Sequence, residues 1–504
     1  MCRKQDAALL GEEVGSEEIS QIQYYEEAPD IEEAENYRSR RQSRSVFPER
    51  ALDEIQGNGG ALIDKAAYDP DSAISQYLAG MFVKRNGVER SPYINYRLSA
   101  GFRAQEMDSH KLTHSQKIKL GLESEYGEDK KRRKKRNFVI PDQSLWPGGI
   151  VPYTQSSTLA SATTAVISSA IGMMTNLTCV RFTPYGSTLA NTVGHSNYVN
   201  FLSATGCWSY VGMINWGRQD LSLQETGCVN IGTAIHEMCH ALGMWHEQNR
   251  KDRDPYIEIY YDNIQNGQNN VNFKKYETRD NNPYDISSVL QYYLDSFAID
   301  TSKPTMRSKD PKLAFLAGKA NGLMYYDVKD ITVAYKCTDS CSNPPTCENG
   351  GFLNQNCQCY CPSGLIGSTC NTVQSSSGCG GIITLSSGVE QSITSPNYPN
   401  NYNTGASCVW LIKAPANEHV QLTIDFMDLA DNGLDACYHW LEIRYNLLGQ
   451  SGPELCGIRN AEKYYTTPDE LKNEMLIKFN SAVSSDRAAR KGFQLTVRSV
   501  GVCK

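Results

Sequence analysis

The sequence predicts three folded parts of different class: an α+β domain, a small disulfide-rich module and an all-β sandwich. Between residues 138 and about 230, short β-type runs alternate with a helical stretch near 158–174, and a second helical stretch follows. Six cysteines then fall within thirty residues, a segment too short for a hydrophobic core of its own. From Cys379 to about residue 500, strand-like runs such as 420–424 and 475–479 alternate with turns.

Composition narrows the class of protein. A chain of 504 residues is expected to hold several domains, and its net charge of -7 is too small to indicate nucleic acid as a partner. The 17 cysteines crowd towards the C-terminal part, which predicts disulfide-rich extracellular modules and a secreted protein. No segment reaches the roughly 18 apolar residues of a membrane span. The first residues lack the apolar core of a signal peptide, so we expect an incomplete or alternative N-terminus.

The most informative stretch is residues 236–250. His236 and His240 are four residues apart, so on a helix they present their imidazoles to one ion. Glu237 lies about 100° round the helix from His236, where a general base belongs. Gly243 can end the helix in a left-handed conformation, and the reversed chain brings His246 to the same ion. Three histidines with an open position predict a catalytic zinc site. The short motif alone also fits an amphipathic helix with surface histidines.

The continuation of this motif, residues 246–250 and 252–256, resembles the astacin branch of the metzincins over about residues 137–337. The resemblance implies a metzincin fold, with a mixed twisted sheet beside the active-site helix, and one Zn²⁺ per catalytic domain. It also implies a zinc metalloendopeptidase in which Glu237 accepts the proton of the attacking water.

The segment 284–292 resembles the astacin Met-turn. The resemblance implies that Tyr292 is an additional zinc ligand that can turn towards the developing oxyanion. Two positions depart from the family pattern, because Leu290 replaces a methionine and Gln291 replaces a histidine. Leucine conserves the volume of methionine, so the site should survive. Cys239, on the same predicted helix as His236 and His240, is interpreted as a buried packing residue.

Residues 1–136 are polar and are interpreted as a propeptide, with a disordered tail as the alternative. The basic run 130–136 fits a solvated face or a nuclear-localisation patch, but in a secreted protein it indicates cleavage after Arg136 by a basic-specific convertase. The resemblance implies that the freed Asn137 then folds inward towards Glu247. Met81 stands where astacin propeptides carry a zinc-blocking aspartate, and methionine is a poor zinc ligand.

Within the catalytic domain, residues 199–202 and 209–213 are predicted to be strands on either side of Cys207 and Trp208. An antiparallel edge strand beside the zinc would hold an extended peptide by main-chain pairing. Resemblance to the family suggests the disulfides Cys179–Cys337 and Cys207–Cys228. Asn176 begins a glycosylation sequon.

Residues 341–371 look like an EGF-like module, and a zinc knuckle is the alternative that fits the cysteine spacing poorly. Its six cysteines are predicted to form disulfides: Cys341, Cys347, Cys357, Cys359, Cys361 and Cys370.

Residues 379–500 resemble a CUB domain, with the pairs Cys379–Cys408 and Cys437–Cys456. His439 and Ala482 occupy positions where calcium-binding CUB domains carry acidic residues, so we expect no calcium here. Cys2, Cys239 and Cys503 are left over.

Two functions follow from this organisation. The first is a secreted zinc endopeptidase, made as a zymogen, that cleaves extracellular matrix, cuticle or egg-envelope proteins. The second is a catalytically inactive binding protein that acts through its EGF-like and CUB modules. The intact set of zinc ligands and base favours the enzyme.

Overall fold

The computed structural model describes residues 136–138, 144–268, 272–276, 278–280, 282–433, 437–466 and 473–501. These residues belong to one structural unit, Asp69–Val502. The interpretations that concern Met81, the basic run up to residue 135, Cys2 and Cys503 lie outside the described residues. None of the helices in the described part has the length and apolar character that a membrane crossing requires.

The α+β domain is built on a mixed five-stranded sheet in the order β3-β2-β4-β6-β5. Four strands are parallel and the edge strand β5 is antiparallel to β6. The predicted mixed sheet is therefore confirmed. Its strands are β2 (Ile150–Gln155), β3 (Arg181–Pro184), β4 (Tyr198–Leu202), β5 (Cys207–Trp208) and β6 (Arg218–Leu223).

Three α-helices accompany the sheet: α1 (Ser161–Leu177), α2 (Ile231–Ala241) and α3 (Tyr325–Ala334). Short strand pairs join β1 (Arg136–Phe138) to β8 (Arg279–Asp280) and β7 (Ile257–Ile259) to β9 (Met306–Ser308). Short 3₁₀ segments cover Pro147–Gly149, Ala190–Thr192, Glu247–Asn249, Tyr261–Asn263 and Pro311–Leu316.

Helix α1 begins three residues later than the predicted 158–174, because Leu159 N–H closes a turn on the carbonyl of Ser156 before the helix starts. Its buried side chains recur at helical spacing, which places one apolar stripe against the core: Thr163, Ile167, Ala170, Met174 and Leu177.

The predicted strand 209–213 is wrong. Gly212 has a φ of +73°, and its N–H donates to the carbonyl of His240 at 2.8 Å. Met213 N–H donates to the carbonyl of Ser144 at 2.7 Å. The backbone donors of this segment therefore satisfy loop and helix carbonyls, and the strand in this region is Cys207–Trp208 itself.

The disulfide-rich module consists of two short hairpins. Strand β10 (Phe352–Leu353) pairs with β11 (Cys359–Tyr360), and β12 (Leu365–Ile366) pairs with β13 (Thr372–Val373). Three disulfides hold them in place of a core: Cys341–Cys357, Cys347–Cys359 and Cys361–Cys370.

The C-terminal domain is an all-β sandwich, as predicted. One sheet has the order β14-β16-β22-β18-β19, and the other has the order β15-β23-β17-β20 with β21 also paired to β17. Disulfides join Cys379 to Cys408 and Cys437 to Cys456. The strands are β14 (Gly381–Thr384), β15 (Glu390–Thr394), β16 (Ser407–Lys413), β17 (Glu418–Leu429), β18 (Trp440–Arg444), β19 (Glu454–Leu455), β20 (Gly457–Arg459), β21 (Lys463–Tyr465), β22 (Glu474–Asn480) and β23 (Gly492–Gly501).

Strand β16 is buried on both faces. Trp410 and Ile412 face the sandwich core, whereas Val409 and Leu411 belong to a second cluster with Leu365 of the disulfide-rich module. Because alternate strand residues point to opposite faces, this explains its unbroken apolar run. The module therefore lies against the outer face of the sandwich.

Candidate active site

Helix α2 carries the predicted site and has defined ends. The side chain of Asn230 accepts the N–H of Thr233 at 2.8 Å and caps the start. Gly243, at a φ of +101°, lets the chain reverse after Ala241. Trp146 Nε1–H donates to the carbonyl of Ala241 at 2.8 Å, which satisfies one of the last helical carbonyls. These contacts fix where the third histidine re-enters the site.

The structure brings His236, His240 and His246 together. Their Nε2 atoms form a triangle with sides of 3.1 Å, and all three residues are buried. Within the described residues they form the one cluster of three or more His, Cys, Asp or Glu that could share an ion. The centre of such a triangle is about 1.8 Å from each corner, which is within the Zn–N bond length of about 2.0–2.1 Å, so all three nitrogens could bind one ion. The donor set and its spacing fit zinc.

Backbone carbonyls orient two of the imidazoles. His236 Nδ1 lies 2.7 Å from the carbonyl oxygen of Val289, and His240 Nδ1 lies 2.8 Å from that of Met244. A carbonyl only accepts, so each Nδ1 carries the proton and each Nε2 presents its lone pair to the ion. The two rings are therefore set in the tautomer that binds metal.

Asp327, which the sequence interpretation missed, supports this arrangement from helix α3. Its carboxylate accepts the N–H of Val289 at 3.0 Å and the hydroxyl of Ser288 at 2.7 Å. It also accepts the N–H of Met324 at 2.9 Å and so caps its own helix. Burial raises the pKa of Asp327 to about 7. The signal available in the sequence was an acidic residue in the first turn of a helical stretch.

The predicted base, Glu237, and the predicted tyrosine, Tyr292, are both buried. Glu237 follows His236 on α2 and is 1% exposed. The ring of Tyr292 lies 4.2 Å from the ring of His246, measured between centroids, and Tyr292 is also 1% exposed. The structure therefore places Tyr292 against His246, and it buries Glu237 on the same helix as His236 and His240.

The two positions that depart from the family pattern have defined places. Leu290 is fully buried, and its carbonyl accepts the N–H of Glu247 at 3.1 Å. Gln291 donates through Nε2 to the carbonyl of Tyr292 at 3.2 Å and accepts the hydroxyl of Tyr284. The backbone at Leu290 is thus hydrogen-bonded to the loop that carries His246, and this bond does not depend on the side chain at 290.

Glu247 occupies a buried polar pocket. Its Oε1 accepts from Nη1 of Arg250 at 2.9 Å and from the N–H of Asp285 at 2.8 Å. Burial raises the pKa of Glu247 well above its ordinary value, although Arg250 opposes the shift. Burial also raises the pKa of Asp285. In the uncleaved chain, with residues 136 and 137 joined, the carboxylate of Glu247 therefore already has Arg250 as a cationic partner.

The predicted activation residues lie on strand β1, which pairs with strand β8. Arg136 pairs with Asp280, and Asn137 pairs with Arg279. Both residues pair with strand β8, and Asp285 follows the end of that strand by five residues.

The remaining predicted residues have the following places. Cys179 is bonded to Cys337, and Cys207 to Cys228, which joins the edge strand β5 to the segment before α2. Cys239 is the one free cysteine among the described residues and is buried, and burial raises the pKa of its thiol. Asn176 is exposed on the last turn of α1.

Two family models match the chain. The Astacin model, which describes a peptidase family, matches residues 138–336, and the CUB domain model matches residues 379–497. Blastula protease 10 of Paracentrotus lividus is 34% identical over 377 residues, which cover 73% of this chain and 60% of that protein. Zinc metalloproteinase nas-36 of Caenorhabditis elegans is 31% identical over 382 residues, which cover 74% of this chain and 59% of that protein. This chain therefore spans about three fifths of the length of these relatives.

Among solved structures, the chain is similar to high choriolytic enzyme 1, a hatching enzyme zinc-protease from Oryzias latipes (Medaka fish). The identity is 32%, the match covers 39% of this chain and 96% of that chain, and the TM-score is 0.35.

Proposed function

Because residues 138–336 form a domain of the astacin peptidase family and are followed by a CUB domain, we propose that this protein is a secreted zinc metalloendopeptidase. The observation that carries the proposal is the triangle of Nε2 atoms from His236, His240 and His246. Glu237, the proposed base, is buried on the helix that carries the first two. Zinc binding and proton transfer are then assigned to residues of helix α2 and the loop after it, and the orientation of His236 is assigned to the segment that contains Val289.

Zinc bound by the three histidines would polarise the scissile carbonyl and lower the pKa of the attacking water. The carboxylate of Glu237 accepts the proton that the water loses and delivers it to the nitrogen of the leaving amine. The phenol of Tyr292 donates a hydrogen bond to the carbonyl oxygen as negative charge develops there. The edge strand β5 offers main-chain groups that hold the substrate in an extended conformation.

The substrates proposed are extracellular proteins of a matrix, a cuticle or an egg envelope. Disulfides at seven sites support an oxidising compartment: they join cysteines in all three folded parts of the described chain. We propose that residues 341–371 are an EGF-like module, and its two hairpins stapled by three disulfides support this. The sequon at Asn176 is proposed to carry a glycan, which its exposed position would accommodate.

Activation is proposed to follow cleavage after Arg136 by a basic-specific convertase. Its support is the basic run in the sequence and the pairing of Asn137 with the strand that leads to Asp285. Since Glu247 already contacts Arg250, the new ammonium of Asn137 would join an existing ion pair.

The alternative of an inactive binding protein rested on Met81 in the pro-segment, which lies outside the described residues, and on Leu290 and Gln291. Both side chains are accommodated in the site, so this observation does not favour it.

The experiment measures cleavage of a mixed protein substrate by secreted residues 137–504, with Glu237→Ala and a zinc chelator as controls. We expect cleavage in the parent protein and none in either control, while Glu237→Ala retains zinc. Full activity of Glu237→Ala would refute the assignment of the base. A folded, zinc-loaded parent with an authentic Asn137 terminus and no activity would refute the peptidase.

A further inference from the structure

The CUB domain inserts a buried amide into the catalytic domain. Gln450 lies in the loop between β18 and β19, is 1% exposed, and donates through Nε2 to Oδ1 of Asp285 at 2.5 Å. We propose that Gln450 is a positioning residue for the loop that carries His246, acting through Asp285 and Glu247. This proposal rests on the peptidase function proposed above.

The orientation of the Gln450 amide is determined locally. Asn446 Nδ2 donates to Oε1 of Gln450 at 2.8 Å, so the oxygen of the amide faces its own loop and the nitrogen faces Asp285. The same Oδ1 of Asp285 also accepts the N–H and the hydroxyl of Ser287, at 2.9 and 2.6 Å. Gln450 therefore supplies the one donor to this oxygen that comes from another domain, among the donors described.

The contact continues from Asp285 to the histidine loop. The N–H of Asp285 donates to Oε1 of Glu247 at 2.8 Å, and Glu247 is the residue directly after His246. The N–H of Glu247 in turn donates to the carbonyl of Leu290 at 3.1 Å. A buried carboxylate at 285 that loses a donor would shift towards other donors, and its backbone would carry Glu247 with it.

The loop that presents Gln450 is held rigidly against the catalytic domain. Gly449 packs so closely on Tyr325 that a Cβ at 449 would overlap Cδ1 of that ring. Tyr445 donates its hydroxyl to Oδ2 of Asp310 at 2.7 Å. Within the loop, Nη1 of the buried Arg444 donates to the carbonyl of Leu448 at 3.1 Å. The amide is therefore delivered by a docked loop with little freedom to move.

Tyr445 provides a matched control, because it makes a comparable hydrogen bond across the same interface to a different carboxylate, Asp310, whose other oxygen accepts the N–H of Lys312 in its own 3₁₀ turn. The test compares Gln450→Leu with Tyr445→Phe in the full chain, processed at its own basic site. Two quantities are measured: the rate at which a chelator removes zinc, and kcat and KM for a peptide too short to reach the CUB domain.

For Gln450→Leu we expect zinc loss about fivefold to tenfold faster and a kcat lower by a similar factor, with little change in KM. For Tyr445→Phe we expect both quantities within about twofold of the parent protein. Combining Gln450→Leu with Asp285→Asn should add little to the effect of Asp285→Asn alone, since both act on one contact.

Equal behaviour of the Gln450 and Tyr445 variants would overturn the proposal. If Gln450→Leu fails to fold, Gln450→Met, which conserves volume and lacks the donor, takes its place under the same criteria. An inactive parent protein would contradict the peptidase function, whereas the rate of zinc loss would still decide the role of Gln450.

Discussion

The carbonyl oxygen of Val289 lies 2.7 Å from Nδ1 of His236, and this contact joins the zinc helix to a segment more than fifty residues further along the chain. The N–H of the same residue is held by Asp327 on α3. The carbonyl of Val289 thus contacts a histidine, while its N–H contacts a carboxylate. The orientation of a proposed metal ligand therefore depends on two elements outside its own helix.

Replacing Asp327 with Asn should weaken zinc binding without unfolding the domain. The amide keeps one oxygen acceptor but loses the other, so Val289 and Ser288 can no longer both be held. We expect an affinity about tenfold lower, at the low end of the effect of residues that support metal ligands. Competition with a fluorescent chelator measures it.

The control is Asp330→Asn on the same helix. Asp330 is also buried, and it accepts a hydrogen bond from Nδ2 of Asn282. Its variant should bind zinc within about twofold of the parent protein, and an equal loss in both variants would contradict the specific role of Asp327.

Tyr292→Phe should lower turnover while the metal stays bound. The ring packs against His246 and Phe297, so phenylalanine keeps the packing and removes only the hydroxyl. Loss of one donor to a developing oxyanion typically costs about 10²-fold in kcat. KM should change little, because the hydrogen bond to the oxyanion is made in the transition state. Zinc content should change little, because His236, His240 and His246 still hold the ion. An unchanged kcat on a peptide substrate would exclude Tyr292 from catalysis.

Leu290→Met should leave the enzyme nearly unchanged. The link from this position to the third-histidine loop is the carbonyl of Leu290, which either side chain leaves in place. A volume-conserving apolar swap usually costs less than about 1.5 kcal/mol. Thermal unfolding and zinc affinity of the two proteins are compared. A large gain in zinc affinity in the methionine variant would show that leucine impairs the site.

The parts of the site that residue spacing alone could predict are those within one short element, whereas Tyr292 was assigned by resemblance to the astacin Met-turn. His236, His240 and Gly243 follow from helical spacing and a left-handed residue, which are local properties. Asp285 and Gln450 are 165 residues apart, and only the packing of two domains makes them neighbours. A single sequence carries no signal of such a pair.

Non-local contacts also explain why one strand was predicted wrongly. Residues 209–213 have strand-like composition, but the donors of Gly212 and Met213 are taken by carbonyls of His240 and Ser144. Tertiary contacts decided the conformation there, and β propensity is a weak guide where they do. The sandwich was predictable because its alternation extends over many strands.

The stability of the CUB domain should not depend on calcium, and it should fall in acid because of His439. The ring of His439 is fully buried; Nδ1 accepts the hydroxyl of Tyr402 at 2.7 Å, and Nε2 donates to the carbonyl of Ser484 at 2.9 Å. Arg490 contacts Asp428 and Asp431, at 3.5 and 3.1 Å, so these carboxylates already face a cation. Adding calcium to calcium-free protein should therefore leave the unfolding temperature unchanged.

The direction of the pH effect follows from the pKa of His439, which burial lowers, against opposing effects of the Ser484 carbonyl and Asp486. The unfolded chain takes up a proton near the ordinary pKa of about 6.5 while the folded ring stays neutral. The contribution to stability is thus complete above that pKa and is lost as the pH falls through the lower folded value. In His439→Gln, whose amide can accept from Tyr402 and donate to Ser484, this loss should be absent. Calorimetry between about pH 5 and 8 should show the wild-type unfolding temperature falling more steeply with acid than that of the variant; parallel curves would contradict the assignment.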